Sequence, residues 1–439
     1  MDQQFEQLLG APDAKHFVTT FRQIQQSYPS TDALLGDLVG RLAPSLHEPL
    51  YDQDPHGFYG ITCAALTEDL LPESKRWRPY AQQLWALRKQ RRRTPLTFQP
   101  AGPISEADVE ERWARFTEIY RSDFEAAFGV TRTFLCNVVD RDSFRARTLM
   151  QALRDMALGG HKFNYLAQSW LVAERLGLKY ASDLLVGPLH LLAAADSKPV
   201  APDQLTQPSP GRAGRSSWPA GPPQDLAEIV VHGTEREALD ALNQVRANSK
   251  TGDEGPFEAL LLAAARALAC SARNRWLPAV RAFHTAFLCQ ECYPWFAPED
   301  RSSVPLLVGL TINRAARECR ANADAPALDE TIQVVCPTQP MEVLRSVISH
   351  SDPYASATAV FASLGMSEEA RQELLQTLLA QALKNDGDMC WGHDILFVSE
   401  TWKAYSQSDS NKRDFFPASA GFLLGQVLKK YTLAAEYGV

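Results

Sequence analysis

None of the 24 glycines forms a G-x-G pair, so the glycine turn that seats a dinucleotide pyrophosphate is missing. Neither a G-x-x-x-x-G-K phosphate loop nor a G-x-S-x-G nucleophile elbow occurs. These absences exclude a flavin or nucleotide held in the Rossmann or P-loop manner and the common esterase arrangement. Cysteine is sparse, eight in 439 residues at 63, 136, 270, 289, 292, 319, 336 and 390, too dispersed for a disulfide framework. No apolar run approaches the roughly 18 to 20 residues that span a bilayer, and the opening "MDQQFEQLLG" is polar. The reading is a cytoplasmic chain with reduced thiols and no membrane partner. A net charge of −8 and a pI near 5.7 argue against nucleic acid as a partner. The one basic run, Arg88 to Arg93, reads as a solvated helix end.

Strand-like alternation is also nearly absent, "TIQVVC" being the one short candidate. Helical spacing is abundant instead. "ALRDMALGGHKFNYLAQSWLVAERLG", "FEALLLAAARALACSA" and "SEEARQELLQTLLAQALKN" repeat apolar residues at i, i+3, i+4 and i+7. Ser367 before two glutamates is a helix start with its N-cap. The predicted fold is all-α, a large multi-helical assembly. The stretch 197–224 carries seven prolines with glycine and serine and reads as a linker or exposed loop. It divides the chain into an N-terminal helical half, 1–196, and a C-terminal helical half, 225–439. A lesser break falls at 94–105.

Each half holds one copy of a template. "GHKFNYLAQSW" at His161 and "GHDILFVSETW" at His393 lie 232 positions apart, and a weaker pair, His56 and His284, lies 228 apart. The expectation is two pseudo-equivalent halves around a central pocket, with chance likeness of buried helices as its rival. On a helix, i, i+4 and i+7 share a face, which aligns His161, Tyr165 and Gln168, and likewise His393, Phe397 and Glu400. The four histidines are the candidate catalytic residues. Tyr59, Tyr165, Phe397, Trp170, Trp402, Gln168 and Glu400 are the candidate walls for a flat, partly polar ligand. Taken singly, each histidine reads as a packed core residue sooner than as a catalytic one.

No metal ligand set emerges. None of the four histidines has a glutamate three positions before it, as a di-iron bundle needs. Asp13 before His16 and Asp52 before His56 are isolated pairs, and Cys289-x-x-Cys292 lacks a second pair, so structural cysteine is favoured over a metal or redox role. What the residues permit is acid–base chemistry by imidazole near neutral pH. An electron-rich phenolate held among histidines can react with molecular oxygen without a bound flavin.

"HGFYGITCAALTEDLLPESKRWRPYAQQL", with Trp77 and Tyr80 at their spacing, resembles the N-terminal segment of the questin oxidase-like family. "GHKFNYLAQSWLVAERLG", "RAFHTAFLCQECYPWF" and "HDILFVSETWKAY" are similar, in order, to that family's later histidine helices. The resemblance implies an oxygenase of aromatic polyketide pathways. It would open an anthraquinone-type ring by Baeyer–Villiger-like oxygen insertion, with molecular oxygen as co-substrate and NADPH left open as reductant. His56, His161, His284 and His393 carry the resemblance. Asn164 and Tyr165 stand where the family often has a second histidine or arginine, and Leu396 where it usually has lysine, so substrate and reaction can differ. Two other classes stay open, a non-catalytic helical binding scaffold and a metal-dependent helical-bundle oxygenase. The oligomeric state is not legible.

Overall fold

The computed structural model describes residues 2–46, 58–88, 109–122, 131–132, 134–135, 138–194, 199–201, 204–205, 223–248, 256–272, 275–319, 339–349, 352–384 and 392–426. Among them the chain is all-α, and the one β-type contact is an isolated bridge between Asp155 and Pro199. "TIQVVC", His56, Asp52 and the break at 94–105 lie outside the described residues. Among the described residues, no helix is long and apolar enough to cross a membrane.

Four helices form the centre: Tyr59–Thr67, His161–Arg175, Leu277–Glu291 and His393–Gln407. They close a ring. The Tyr59 helix packs on the His161 and His393 helices, and the His284 helix packs on the same two from the other side. The outer helices face this ring. Val138–Arg154 and Ala181–Ala194 lie against the His161 helix, and Glu368–Leu383 and Phe415–Gln426 against the His393 helix. A ring helix touches neighbours on most sides, so it is buried nearly all round, polar residues included. Ten consecutive residues from His161 to Trp170 are buried, as are ten from His393 to Trp402. Each large side chain buried here contributes roughly 1.5–3 kcal/mol.

Polar ties hold the ring's ends. Arg175, in the last turn of the His161 helix, donates to the Ala65 carbonyl at 2.7 Å and pairs with Glu68 and Asp32, locking it to the end of the Tyr59 helix. A cation there also complements the helix dipole. On the opposite side Lys403 donates to Leu66 O at 2.9 Å and Ser399 to the same carbonyl at 3.2 Å. These bonds fix the Tyr59 helix between two others.

Ser367 caps its helix, its hydroxyl accepting from Ala370 N at 3.3 Å. Asp13 does the same for Ala14–Gln26, accepting from His16 N at 2.9 Å and lying 2.8 Å from His16 Nδ1, so this pair is a helix cap. Arg88 ends the Trp77–Leu87 helix stacked on Trp85 and donating to Ala11 O at 2.8 Å, so the first residue of the basic run is partly sheltered. The described part of 197–224 is not free linker either. Val200 and Leu205 are buried, and Val200 N donates to Arg154 O at 2.9 Å.

Asp183, in the first turn of Ala181–Ala194, has its carboxyl pushed by burial from 3.8 to about 6, against the pull of Arg132. The folded chain therefore holds that proton more tightly than the unfolded one. Stability from this group is present below pH 3.8 and is lost as pH rises toward 6. Asp183→Asn is expected to flatten the loss of melting temperature between about pH 4 and 6. Thermal melts of both proteins across that range check it.

Candidate functional site

Both Gly-His pairs are the same local device. Gly160 and Gly392 have φ of 83° and 85°, and the histidine that follows each is the first residue of a 15-residue helix. A Cβ on Gly160 would lie 2.5 Å from Thr285 Oγ1, and one on Gly392 would lie 2.8 Å from Cys63 Cβ. Only glycine gives both the left-handed turn and the close approach. The turn sets the imidazole at a helix N-terminus pressed against a neighbouring ring helix. Gly392→Ala is expected to destabilise by about 1–3 kcal/mol, read from chemical denaturation, because strain and overlap with Cys63 add.

Three imidazoles meet inside the ring. The centroids of His161 and His393 are 5.8 Å apart, and those of His284 and His393 are 5.4 Å apart with nearly parallel planes. Tyr59 packs against two of them at once, its ring 4.8 Å from both His161 and His393, with its hydroxyl 3.1 Å from His393 Nδ1. Burial pushes the Tyr59 phenol well above its ordinary value, so it stays protonated and can donate to His393 in the Nε2–H tautomer. Behind His284, Glu400 Oε2 lies 2.5 Å from Nδ1, a charge-assisted pair with both side chains buried. Burial raises the Glu400 carboxyl, and the nearby His284 pulls it back down. Tyr59, His161 and His393 thus form a triangle of rings, and His284 and then Glu400 follow beyond His393.

The two predicted helix faces do point inward, with altered roles. Tyr165 stands edge-on to Tyr59 and its hydroxyl accepts from Phe58 N at 2.8 Å, anchoring the backbone where the Tyr59 helix begins. Gln168 Oε1 accepts from Thr62 Oγ1 at 3.0 Å and Cys63 Sγ at 3.3 Å. Phe397 packs against His284 and Phe283 at 6.1 and 4.9 Å. Glu400 serves His284 on another helix in place of lining a wall beside His393. Trp170 and Trp402 do not join. Trp170 packs on Phe144 and Arg145, and Trp402 on Tyr405 beside a separate surface cleft. The reason is periodicity: nine residues after a helical histidine is about half a turn away from it. His56 lies outside the described residues. Cys289 and Cys292 are free, buried thiols pushed far up by desolvation, as structural cysteines are.

No family model, curated protein or solved structure matches the chain. The site's meaning therefore rests on its chemistry.

Three features escaped the sequence reading. Asn164 donates to Arg281 O at 2.9 Å and accepts from Thr285 Oγ1 at 2.9 Å, joining the His161 and His284 helices. Lys162, wholly buried beside His161, pairs with buried Asp155 at 2.6 Å. A lysine near the start of a helix rich in aromatic and aliphatic residues, seven residues after an aspartate, was the available signal. The third is the positive φ of the two glycines, hinted at by the repeated Gly-His. As to metals, His161, His284, His393 and Glu400 are the side chains that could hold one. Among the described residues, no three His, Cys, Asp or Glu side chains are arranged as they stand to ligate a common ion.

Proposed function

We propose that this chain is an oxidoreductase of the questin oxidase-like type, an oxygenase acting on an aromatic polyketide such as an anthraquinone or anthrone. The carrying observation is the buried cluster in which Tyr59, His161 and His393 form a triangle of rings, with the His284–Glu400 pair beyond His393. Packing alone gives little reason to bury so many ionisable groups, since each costs desolvation free energy. The cluster speaks against a mere scaffold. In this reading His161 or His393 takes the proton of a substrate phenol or enol. Both rings stand at helix N-termini, where partial positive charge favours neutral imidazole, the form that accepts a proton. The resulting anion is electron-rich enough to react with molecular oxygen. One oxygen atom enters the ring in a Baeyer–Villiger-like step, and NADPH or another two-electron donor reduces the second to water. The reading extends to a cytoplasmic enzyme of secondary metabolism with a small aromatic partner and neither nucleic acid nor membrane.

A second reading, a metal-dependent oxygenase, is favoured by His284 Nε2 and Glu400 Oε1, both buried and without a hydrogen-bond partner among the described residues. One experiment separates the two. Oxygen uptake is followed with anthrones and anthraquinones, with and without NADPH, on purified protein whose metal content is measured. Uptake by metal-free protein with a product heavier by one oxygen supports the first reading. Uptake proportional to bound metal supports the second. No uptake under any of these conditions, with or without added iron, removes both.

A further inference from the structure

The His284–Glu400 pair stands apart from the rest of the buried cluster. His284 comes from Leu277–Glu291 and Glu400 from His393–Gln407, so their bond ties two ring helices. Nδ1 meets Oε2 at 2.5 Å, with the two side chains only 0% and 2% exposed. Among the described residues, the other ends of the pair, His284 Nε2 and Glu400 Oε1, have no hydrogen-bond partner. A buried polar atom left open costs free energy, and packing alone gives no reason to keep two of them. The His284 ring lies nearly parallel to His393 with centroids 5.4 Å apart, so the pair adjoins a candidate base of the oxygenase reading. Burial raises the Glu400 carboxyl, His284 pulls it down, Lys403 and Glu291 act on it in opposite directions, and the balance is upward. Sealed from water, the pair costs least when its charges cancel, so it keeps a proton that an exposed carboxylate gives up. His393 heads its helix, where partial positive charge favours the neutral ring. Of the two stacked imidazoles, one is set to take a proton and the other to give one.

We propose that His284 is the general acid of the oxygen insertion and Glu400 its positioning residue, which passes it a proton through Nδ1. The assignment rests on the oxygenase reading above, in its metal-free form. Where no metal fills them, the open atoms are the working end of the pair. Insertion starts from a ring carbon that bears both a hydroxyl and a hydroperoxide, the two electrons for oxygen having come from the reductant. His161 or His393 takes the hydroxyl proton, and the carbonyl forms as the neighbouring carbon migrates to the inner peroxide oxygen. The O–O bond breaks, and its electron pair goes to the outer hydroxyl group. That group takes the His284 Nε2 proton and leaves as water, while Nδ1 takes the proton of Glu400. One proton is taken and one given, so the cluster ends with the charge it began with. Such a step needs a base and an acid side by side, and differing surroundings are what separate two like groups into those roles.

The test is a single turnover with oxygen, using metal-free full chain, NADPH and a dihydroxyanthraquinone or dihydroxyanthrone as probe. Oxygen consumed, oxygenated product and peroxide, free or on the substrate, are counted together. Wild type is expected to carry nearly all the oxygen through to product. Glu400→Gln keeps the bulk and a hydrogen bond to Nδ1 but has no proton to pass on. Its product formation should fall by about 10²-fold or more, the consumed oxygen appearing as peroxide. His284→Gln, which lacks the donor itself, gives the same partition. A variant that merely loosens the fold loses uptake and product in step, so the peroxide fraction separates chemistry from packing. Circular dichroism confirms that each variant is folded, and Glu400→Gln decides if His284→Gln is not. An unchanged ratio of product to oxygen in Glu400→Gln overturns the proposal and leaves the oxygenase reading standing. Uptake and product falling together, without peroxide, also overturn it. No uptake by metal-free wild type removes the oxygenase reading, and the proposal with it.

Discussion

His393→Ala is expected to lower turnover by about 10²- to 10⁴-fold while the helical circular dichroism is kept, the range in which a lost general base is usually felt. His393 touches every other member of the layer's centre: Tyr59 through its hydroxyl, and His161 and His284 through their rings. Alanine removes the proton acceptor and also leaves the buried Tyr59 hydroxyl without that partner, which costs about 1–3 kcal/mol of stability. A stability loss alone could mimic a catalytic one, so a second variant is needed. His393→Gln keeps similar bulk and a hydrogen-bonding group for Tyr59 but cannot shuttle a proton. It should recover most of the stability in denaturant melts and none of the turnover. Recovered turnover in His393→Gln would mean that His393 is a packing residue. The single-turnover rate with oxygen, measured on both variants, is the deciding number.

Asp155→Ala is expected to cost about 3–5 kcal/mol, the usual penalty for stranding one charge of a buried pair. Lys162 is fully buried and reaches Asp155 Oδ2 at 2.6 Å, while Asp155 Oδ1 accepts from Ala157 N at 3.0 Å. Removing the carboxylate takes its counter-charge from an ammonium that is fully buried from solvent. The matched double change, Asp155→Leu with Lys162→Met, should cost far less, because an apolar pair of similar size carries no desolvation penalty. Urea melts of the two variants and wild type check it. An Asp155→Ala cost below about 1 kcal/mol would show that the pair is held in water-like surroundings. The pair also matters to the site, since Asp155 and Lys162 bracket the Gly159–Gly160 turn that sets His161.

How much of the site was readable follows from which interactions are local. The faces His161–Tyr165–Gln168 and His393–Phe397–Glu400 follow from helical period alone, and both point inward. The same period, applied to Trp170 and Trp402, puts them on the opposite side, where they are found. The partners were not readable. Glu400 pairs with a histidine 116 positions away, and Tyr59 reaches one 334 positions away. Nothing in residue spacing encodes such a distance in sequence.

The sequence by itself determined that this protein is helical, where the helix after Ser367 starts, and which residues of the His161 and His393 helices share a face, because these depend on neighbours within two turns. Tertiary structure alone decided that His161, His284 and His393 share one interior with Tyr59 and Glu400. It also decided that Lys162 is buried against Asp155. The physical reason is that burial and proximity belong to the packing of whole helices, and the same amphipathic faces could close around one another in several arrangements. Which of these forms is decided by how ridges, glycine-wide gaps and buried charges fit together at once.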